Sequence, residues 1–162
     1  MDGGWWMVDG GWWMVDGGCD ENEIRIDRSQ KGGTPQSDSG LNNRRILVVE
    51  DSPDVLYLLE MFLEREGFLL MSAANGQEAL DLLRSTQDLP AFILLDLMMP
   101  VMDGAGFRSE QLKDKRLAAT PVVLLSAGND IGAEATRLGA NAFVKKPPNV
   151  KDLLKLAEQF CR

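Results

Sequence analysis

From Arg45 onward, short unbroken apolar runs recur along the chain, and each ends in a polar residue of a type suited to chemistry. Ile46-Leu47-Val48-Val49 leads into Glu50 and Asp51, Phe92-Ile93-Leu94-Leu95 into Asp96, Val122-Val123-Leu124-Leu125 into Ser126, and Ala142-Phe143-Val144 into Lys145, Lys146 and Pro147. A four-residue apolar run has strand length but lacks the alternation of a strand with one wet face. It belongs to a strand covered on both sides, as in a parallel sheet between helices.

The intervening segments supply those helices. Ser52-Pro53 reads as an N-cap followed by proline at the first helical position. Val55, Leu58, Leu59, Phe62 and Leu63 then recur at helical spacing until Gly67 closes the helix. Phe68 to Ala73 reads as the second strand. Asn75 and Glu78 form a cap pair for a helix through Leu83. Further helices are expected from about Ala105 to Lys115, from about Asp130 to Leu138, and after Asn149, where Val150, Leu153, Leu154, Ala157 and Phe160 share one face. Five strands alternating with five helices predict an α/β, doubly wound, three-layer domain with right-handed crossovers.

Such sheets bind ligands beyond the carboxyl ends of their strands. There the sequence gathers three carboxylates (Glu50, Asp51, Asp96), a hydroxyl (Ser126) and an ammonium group. Three carboxylates in one pocket repel one another and raise each other's pKa values. A hard divalent cation relieves that repulsion, and an all-oxygen set suits Mg2+. Lysine and serine beside it would stabilise the oxygens of a phosphoryl group in transfer, and an aspartate could accept that group as an acyl phosphate.

Residues 46–51 (ILVVED), 94–104 (LLDLMMPVMDG), 122–127 (VVLLSA) and 139–147 (GANAFVKKP) resemble the four signature segments of response-regulator receiver domains. One such segment is weak; four in order are specific. The resemblance implies a flavodoxin-like five-stranded parallel sheet of order 2-1-3-4-5. It makes Asp96 the phosphoacceptor and Glu50 and Asp51 the acidic metal pair, with the Met98 backbone carbonyl as a further Mg2+ ligand. Ser126 becomes the switch hydroxyl, Phe143 the switch aromatic, and Lys146, which directly precedes Pro147 across a cis bond, the lysine of the site. The phosphoryl donor would be a histidine kinase or a histidine phosphotransfer protein. Two positions depart from the usual pattern: Pro148 follows Pro147, and Met98 offers no polar side chain to orient water, implying slow self-dephosphorylation. Asp103 reads as a turn residue before Gly104 rather than a catalytic one.

Composition excludes several alternatives. The chain has no histidine, so neither a phosphohistidine nor a His-ligated metal can form on it. Residues 1–45 hold eight acids and five bases, and the remainder seventeen and twelve, so direct nucleic-acid binding is not expected. Cys19 and Cys161 lie at opposite ends and read as free thiols of a reducing compartment. No run is long enough to span a bilayer and no secretory leader is visible, so a cytoplasmic location is expected.

Residues 1–43 form a separate region. GGWWMVD occurs at 3–9 and again at 10–16, followed by a Gly/Ser/Asp/Asn/Gln-rich linker. Paired glycines argue against a helix, and the region is expected to be mostly disordered or to fold only against a partner. Its tryptophans, Trp5, Trp6, Trp12 and Trp13, read either as aromatic anchors or, given the identity of the two units, as an expanded short DNA repeat without a selected role. The receiver is assigned to 44–162, leaving no room for an output domain. A stand-alone signalling switch or phosphorelay intermediate, not an enzyme, is the expected function, with an unidentified downstream protein. Two competing readings are weaker. A haloacid-dehalogenase-type Mg2+-dependent phosphatase needs D-x-D at its nucleophile strand, which neither Glu50-Asp51-Ser52 nor Asp96-Leu97-Met98 provides. A flavodoxin-like cofactor site needs a Ser/Thr/Gly loop where this chain is acidic.

Overall fold

The computed structural model of the protein describes residues 4–8, 11–15 and 44–161. Two strands near the amino terminus, β1 (Gly4–Val8) and β2 (Gly11–Val15), pair antiparallel with Trp6 opposite Trp13 and Gly4 opposite Val15. The rest of the expected amino-terminal linker lies outside the described residues. The remaining elements, in order, are β3 (Arg45–Val49), α1 (Pro53–Arg65), β4 (Leu69–Ala73), α2 (Gly76–Ser85), β5 (Phe92–Asp96), α3 (Gly104–Lys113), α4 (Lys115–Ala118), β6 (Val122–Ser126), α5 (Ile131–Leu138), β7 (Ala142–Lys145) and α6 (Val150–Phe160).

Strands β3 to β7 form one parallel sheet ordered β4-β3-β5-β6-β7. Counted within that sheet the order is 2-1-3-4-5, as the sequence resemblance implied. Side-chain alternation divides its core between two faces. Leu47, Val49, Ile93, Leu95, Leu124 and Phe143 pack against α2, α3 and α5, through residues such as Leu80, Leu83, Phe107 and Ala135. Ile46, Val48, Phe92, Leu94, Val123 and Val144 pack against α1 and α6, through Leu59, Leu63, Leu153 and Leu156. β3, β5 and β6 are buried almost throughout, which is why they read as continuous apolar runs.

The expected caps are present. Ser52 Oγ accepts from Val55 N at 3.5 Å. Asn75 Oδ1 accepts from Glu78 N at 2.9 Å, while Glu78 Oε2 accepts from Ala74 N at 3.0 Å. Gly67 closes α1 at φ +88°. Three details differ from the sequence reading. Leu58, counted in the apolar stripe of α1, is exposed beside Tyr57 and Met61. Phe68 lies just before its strand, though it is buried. The helix expected to end at Lys115 breaks at Asp114, whose carboxylate accepts from Arg116 N and Leu117 N and starts a sixth, four-residue helix.

Candidate functional site

The parallel register determines which residues meet. Val49 stands level with Leu95, Asp96 with Leu125, and Ser126 with Lys145. Glu50, Asp96 and Ser126 therefore reach the same carboxyl edge of the sheet. All three are buried, Glu50 and Asp96 to 1% and 3% exposure. Asp51 is exposed, and an oxygen from each of Glu50, Asp51 and Asp96 lies within 4.8 Å of the others. Lys146 brings its ammonium between the two buried acids, with Nζ 2.8 Å from Glu50 Oε2 and 3.2 Å from Asp96 Oδ2. Lys145 is exposed instead. The bond between Lys146 and Pro147 is cis.

Main-chain groups hold the carboxylates from the other side. Ser52 N donates to Glu50 Oε1 at 3.2 Å, and Met98 N to Asp96 Oδ1 at 3.3 Å. The Met98 side chain is itself 79% exposed. Glu50 Oε2 is buried and close to Lys146 Nζ, yet no donor points at it with hydrogen-bond geometry. The contact is a charge–charge one. Burial raises the Glu50 pKa above the ordinary carboxylate range; Lys146 and the Ser52 amide pull it back only partly. Burial alone would depress Lys146, but Glu50 and the negative field of Asp96 outweigh it and hold the ammonium above its ordinary pKa.

Two acids thus share one cation, a third acid stands at the rim, and one buried oxygen lacks an oriented partner. An all-oxygen set with that surplus of negative charge fits a hard divalent cation such as Mg2+. Carboxylates of this kind are otherwise costly to bury.

The remaining predicted residues lie nearby in the fold. Ser126 Oγ accepts from Gly128 N at 3.2 Å. Phe143 is buried on β7 and lines an open groove of about 440 Å3 with Asn129 to Ala133 and Thr136 of the α5 start. Its ring therefore already lies inside. Asp103 is the N-cap of α3, accepting from Gly106 N at 2.7 Å, in keeping with a structural role.

The sequence reading missed how the loop after Asp96 is held. A Cβ on Gly104 would lie 2.7 Å from the Asp96 carbonyl oxygen and 2.9 Å from Leu97 Cα, so only glycine allows α3 to start this close to β5. Gly76 is similarly tight, with a virtual Cβ 2.9 Å from the Met102 carbonyl oxygen. The GQE start of α2 gives no hint of that contact. Between Pro100 and Met102 the loop forces Val101 to φ +69°, a left-handed conformation rare for a β-branched residue.

Comparison with known proteins places these features in a family. The response regulator receiver domain profile matches residues 46–158. The chain is 35% identical over 111 residues to a probable transcriptional regulator, ycf27, of Guillardia theta, covering 67% of this chain and 42% of that protein. It is 38% identical over 119 residues to an uncharacterized 14.6 kDa protein of Leptolyngbya boryana, covering 72% of this chain and 88% of that one. The chain therefore spans less than half the length of the ycf27 relative. Among solved structures it is similar to the receiver domain of a Syntrophus aciditrophicus signal transduction histidine kinase, with TM-score 0.65 and 30% identity over 72% of this chain and 89% of that one. It is also similar to the Vibrio cholerae chemotaxis protein CheY4, with TM-score 0.64 and 27% identity over 72% and 97% of the two chains.

Proposed function

The chain belongs to the response regulator receiver domain family, and from that premise we propose that it is a signalling switch which takes a phosphoryl group onto Asp96. The observation that carries this reading is the placement of Asp96. It is a buried carboxylate at a strand tip, flanked by Lys146 Nζ and the Met98 amide and grouped with two further acids.

In the proposed step an oxygen of Asp96 attacks the phosphorus of a phosphohistidine on a kinase or phosphotransfer protein. The P–N bond breaks as the new P–O bond forms, and the imidazole leaves with the electron pair and takes up a proton. None of the residues of this sequence is a histidine, so the donor imidazole lies outside them. Lys146 faces the charge that builds on the phosphoryl oxygens, and Ser126 exchanges its Gly128 contact for one of them. Glu50, Asp51 and Asp96, with the main-chain carbonyl of Met98, would hold Mg2+, which supplies charge neutralisation on the transferring oxygens. Met98 offers no side-chain hydrogen bond to an attacking water, which favours a long-lived acyl phosphate.

The readout is a change of surface. Withdrawal of the Ser126 hydroxyl frees the loop before α5, and Phe143, already packed against that helix, adjusts with it. The chain then acts on a downstream protein rather than turning over an external substrate. Among the described residues no helix is long and apolar enough to cross a membrane. A cytoplasmic switch would share a compartment with a kinase's catalytic domain.

Incubation with acetyl phosphate and Mg2+, followed by intact mass spectrometry, tests the proposal. One phosphoryl group should be gained by the wild type and none by Asp96→Ala or by a sample treated with chelator. Equal labelling of folded wild type and Asp96→Ala would overturn it.

A further inference from the structure

None of the residues assigned to phosphoryl transfer lies in the GGWWMVD repeat, yet the structure pairs its two copies and sets the first beside the sheet. β1 runs along β7 with Cα atoms within 8 Å, without entering the five-stranded ladder. β7 is an edge strand, covered on one face by α5 through Phe143 and on the other by α6 through Val144. Stacked sheets lie about 10 Å apart, whereas neighbouring strands lie about 4.8 Å apart. A strand within 8 Å of one whose faces are already covered is therefore approaching the edge.

We propose that the repeat hairpin is an intramolecular cover for the open edge of β7, seated where a sixth strand would add. An uncovered edge strand exposes unpaired N–H and C=O groups and invites pairing with another chain. Here β7 carries Ala142, Phe143 and Val144 and blunts its edge only at Lys145. Residues 16–43, at up to ~3.5 Å per residue, give the hairpin ample reach to that edge. The second copy of the repeat supplies the strand that pairs with β1 on the side away from β7, so duplication gives the cover its own partner. Any protein that binds along β7 must then displace residues 4–15, and the hairpin sets the threshold for that binding.

The four tryptophans of the chain all lie in the hairpin, so tryptophan emission reports on it alone. In the full chain with Cys19→Ser and Cys161→Ser, a fluorescent acceptor is attached to Lys145→Cys on β7 or to Ser72→Cys on β4, both exposed positions. β4 is the opposite edge of the sheet, roughly 19 Å away by strand spacing. Energy transfer from tryptophan should be at least about twofold more efficient to the β7 label than to the β4 label, as that spacing requires. Met7→Pro with Met14→Pro keeps all four donors while removing strand amides, and should bring the two efficiencies together. Equal transfer to both labels in the unbroken hairpin, or a difference that survives both prolines, overturns the proposal. The measurement needs neither metal nor phosphoryl group, so its failure leaves the phosphoacceptor assignment of Asp96 standing, and the converse holds too.

Discussion

Two buried polar clusters sit in this domain, and they are built on opposite principles. One lies between α3, α4 and α5. Arg108 donates from Nε to Leu138 O at 3.0 Å, from Nη2 to Gly139 O at 2.8 Å and from Nη1 to Gln111 Oε1 at 2.8 Å. Gln111, fully buried, donates in turn to Leu117 O at 2.9 Å and Thr120 O at 3.1 Å. Apart from the Gln111 side-chain oxygen, the acceptors are main-chain carbonyls at or just beyond the ends of α4 and α5, which helix ends leave without partners. The other cluster, at the strand tips, crowds Glu50 and Asp96 around a single Lys146 and leaves Glu50 Oε2 without an aligned donor. Burial lowers the pKa of Arg108 and raises that of Glu50, so the low dielectric acts on both clusters. The first answers it with hydrogen bonds and holds the fold. The second leaves a surplus of negative charge, which suits a hard cation and, under the proposed function, a phosphoryl group whose charge that cation offsets.

Stability measurements can break that contrast. Gln111→Leu removes the donors to Leu117 O and Thr120 O and leaves Arg108 Nη1 without its acceptor. Each buried group left unpaired costs about 1–3 kcal/mol, so a loss of about 3 kcal/mol is expected in urea denaturation. Asp96→Asn, by contrast, takes one charge out of an overfilled pocket. Without divalent cation it should leave stability unchanged or raise it by about 1 kcal/mol, while phosphorylation is lost. A neutral Gln111→Leu, or an Asp96→Asn that unfolds the domain, would mean that the two clusters do not divide the work in this way.

The same contrast explains what could be read from the sequence. The strand-tip cluster was legible because a strand buried on both faces permits no polar residue until it ends. The first acid or hydroxyl after each run is therefore at the carboxyl edge by construction, as Glu50, Asp96 and Ser126 are. Choosing Lys146 over Lys145 relied on the following proline, and only the former turns to the carboxylates. The Arg108–Gln111 network was not legible. Arginine and glutamine three apart on a helix look like a solvated face, and nothing local reveals that Leu138 and Leu117 carbonyls lie opposite. The break at Asp114 was hidden for a similar reason, since an acid inside a charged stretch gives no sign that it caps a second helix. The amino-terminal hairpin did have a signal that was passed over: Asp9-Gly10 between two identical runs is a strong hairpin dipeptide.

A smaller effect sharpens the picture of the loop after Asp96. Val101 holds φ +69° with its side chain 84% exposed, so it buries little in return for the strain. Val101→Asn tolerates that conformation better and should stabilise the domain by about 1 kcal/mol or less. If the strain is only structural, the phosphorylation rate with acetyl phosphate stays unchanged. A rate change of severalfold at equal stability would show that the strained loop helps to position the Met98 amide against Asp96.

The smallest effect at neutral pH comes from Cys161, at the end of α6, partly buried against the α1–α6 side of the core. Burial pushes its thiol up to about 11, and the positive charge of Arg44 pulls it back only slightly. Its ordinary value is 9.0. A shift of this size makes the thiolate about 100-fold rarer at pH 8, so in a Cys19→Ser background iodoacetamide should label Cys161 about that much more slowly in the fold than in urea. The sign for stability follows from the same shift. The folded state holds the proton more tightly, so the contribution is fully present below pH 9 and is lost as pH rises from 9 towards 11. Cys161→Ala should flatten that alkaline fall and leave stability below pH 8 independent of pH at this position. If Cys161 instead reacts as fast in the folded protein as in the unfolded one, burial does not control this thiol. The low dielectric that shifts Arg108 and Glu50 would then fail to shift this thiol, where only Arg44 opposes it.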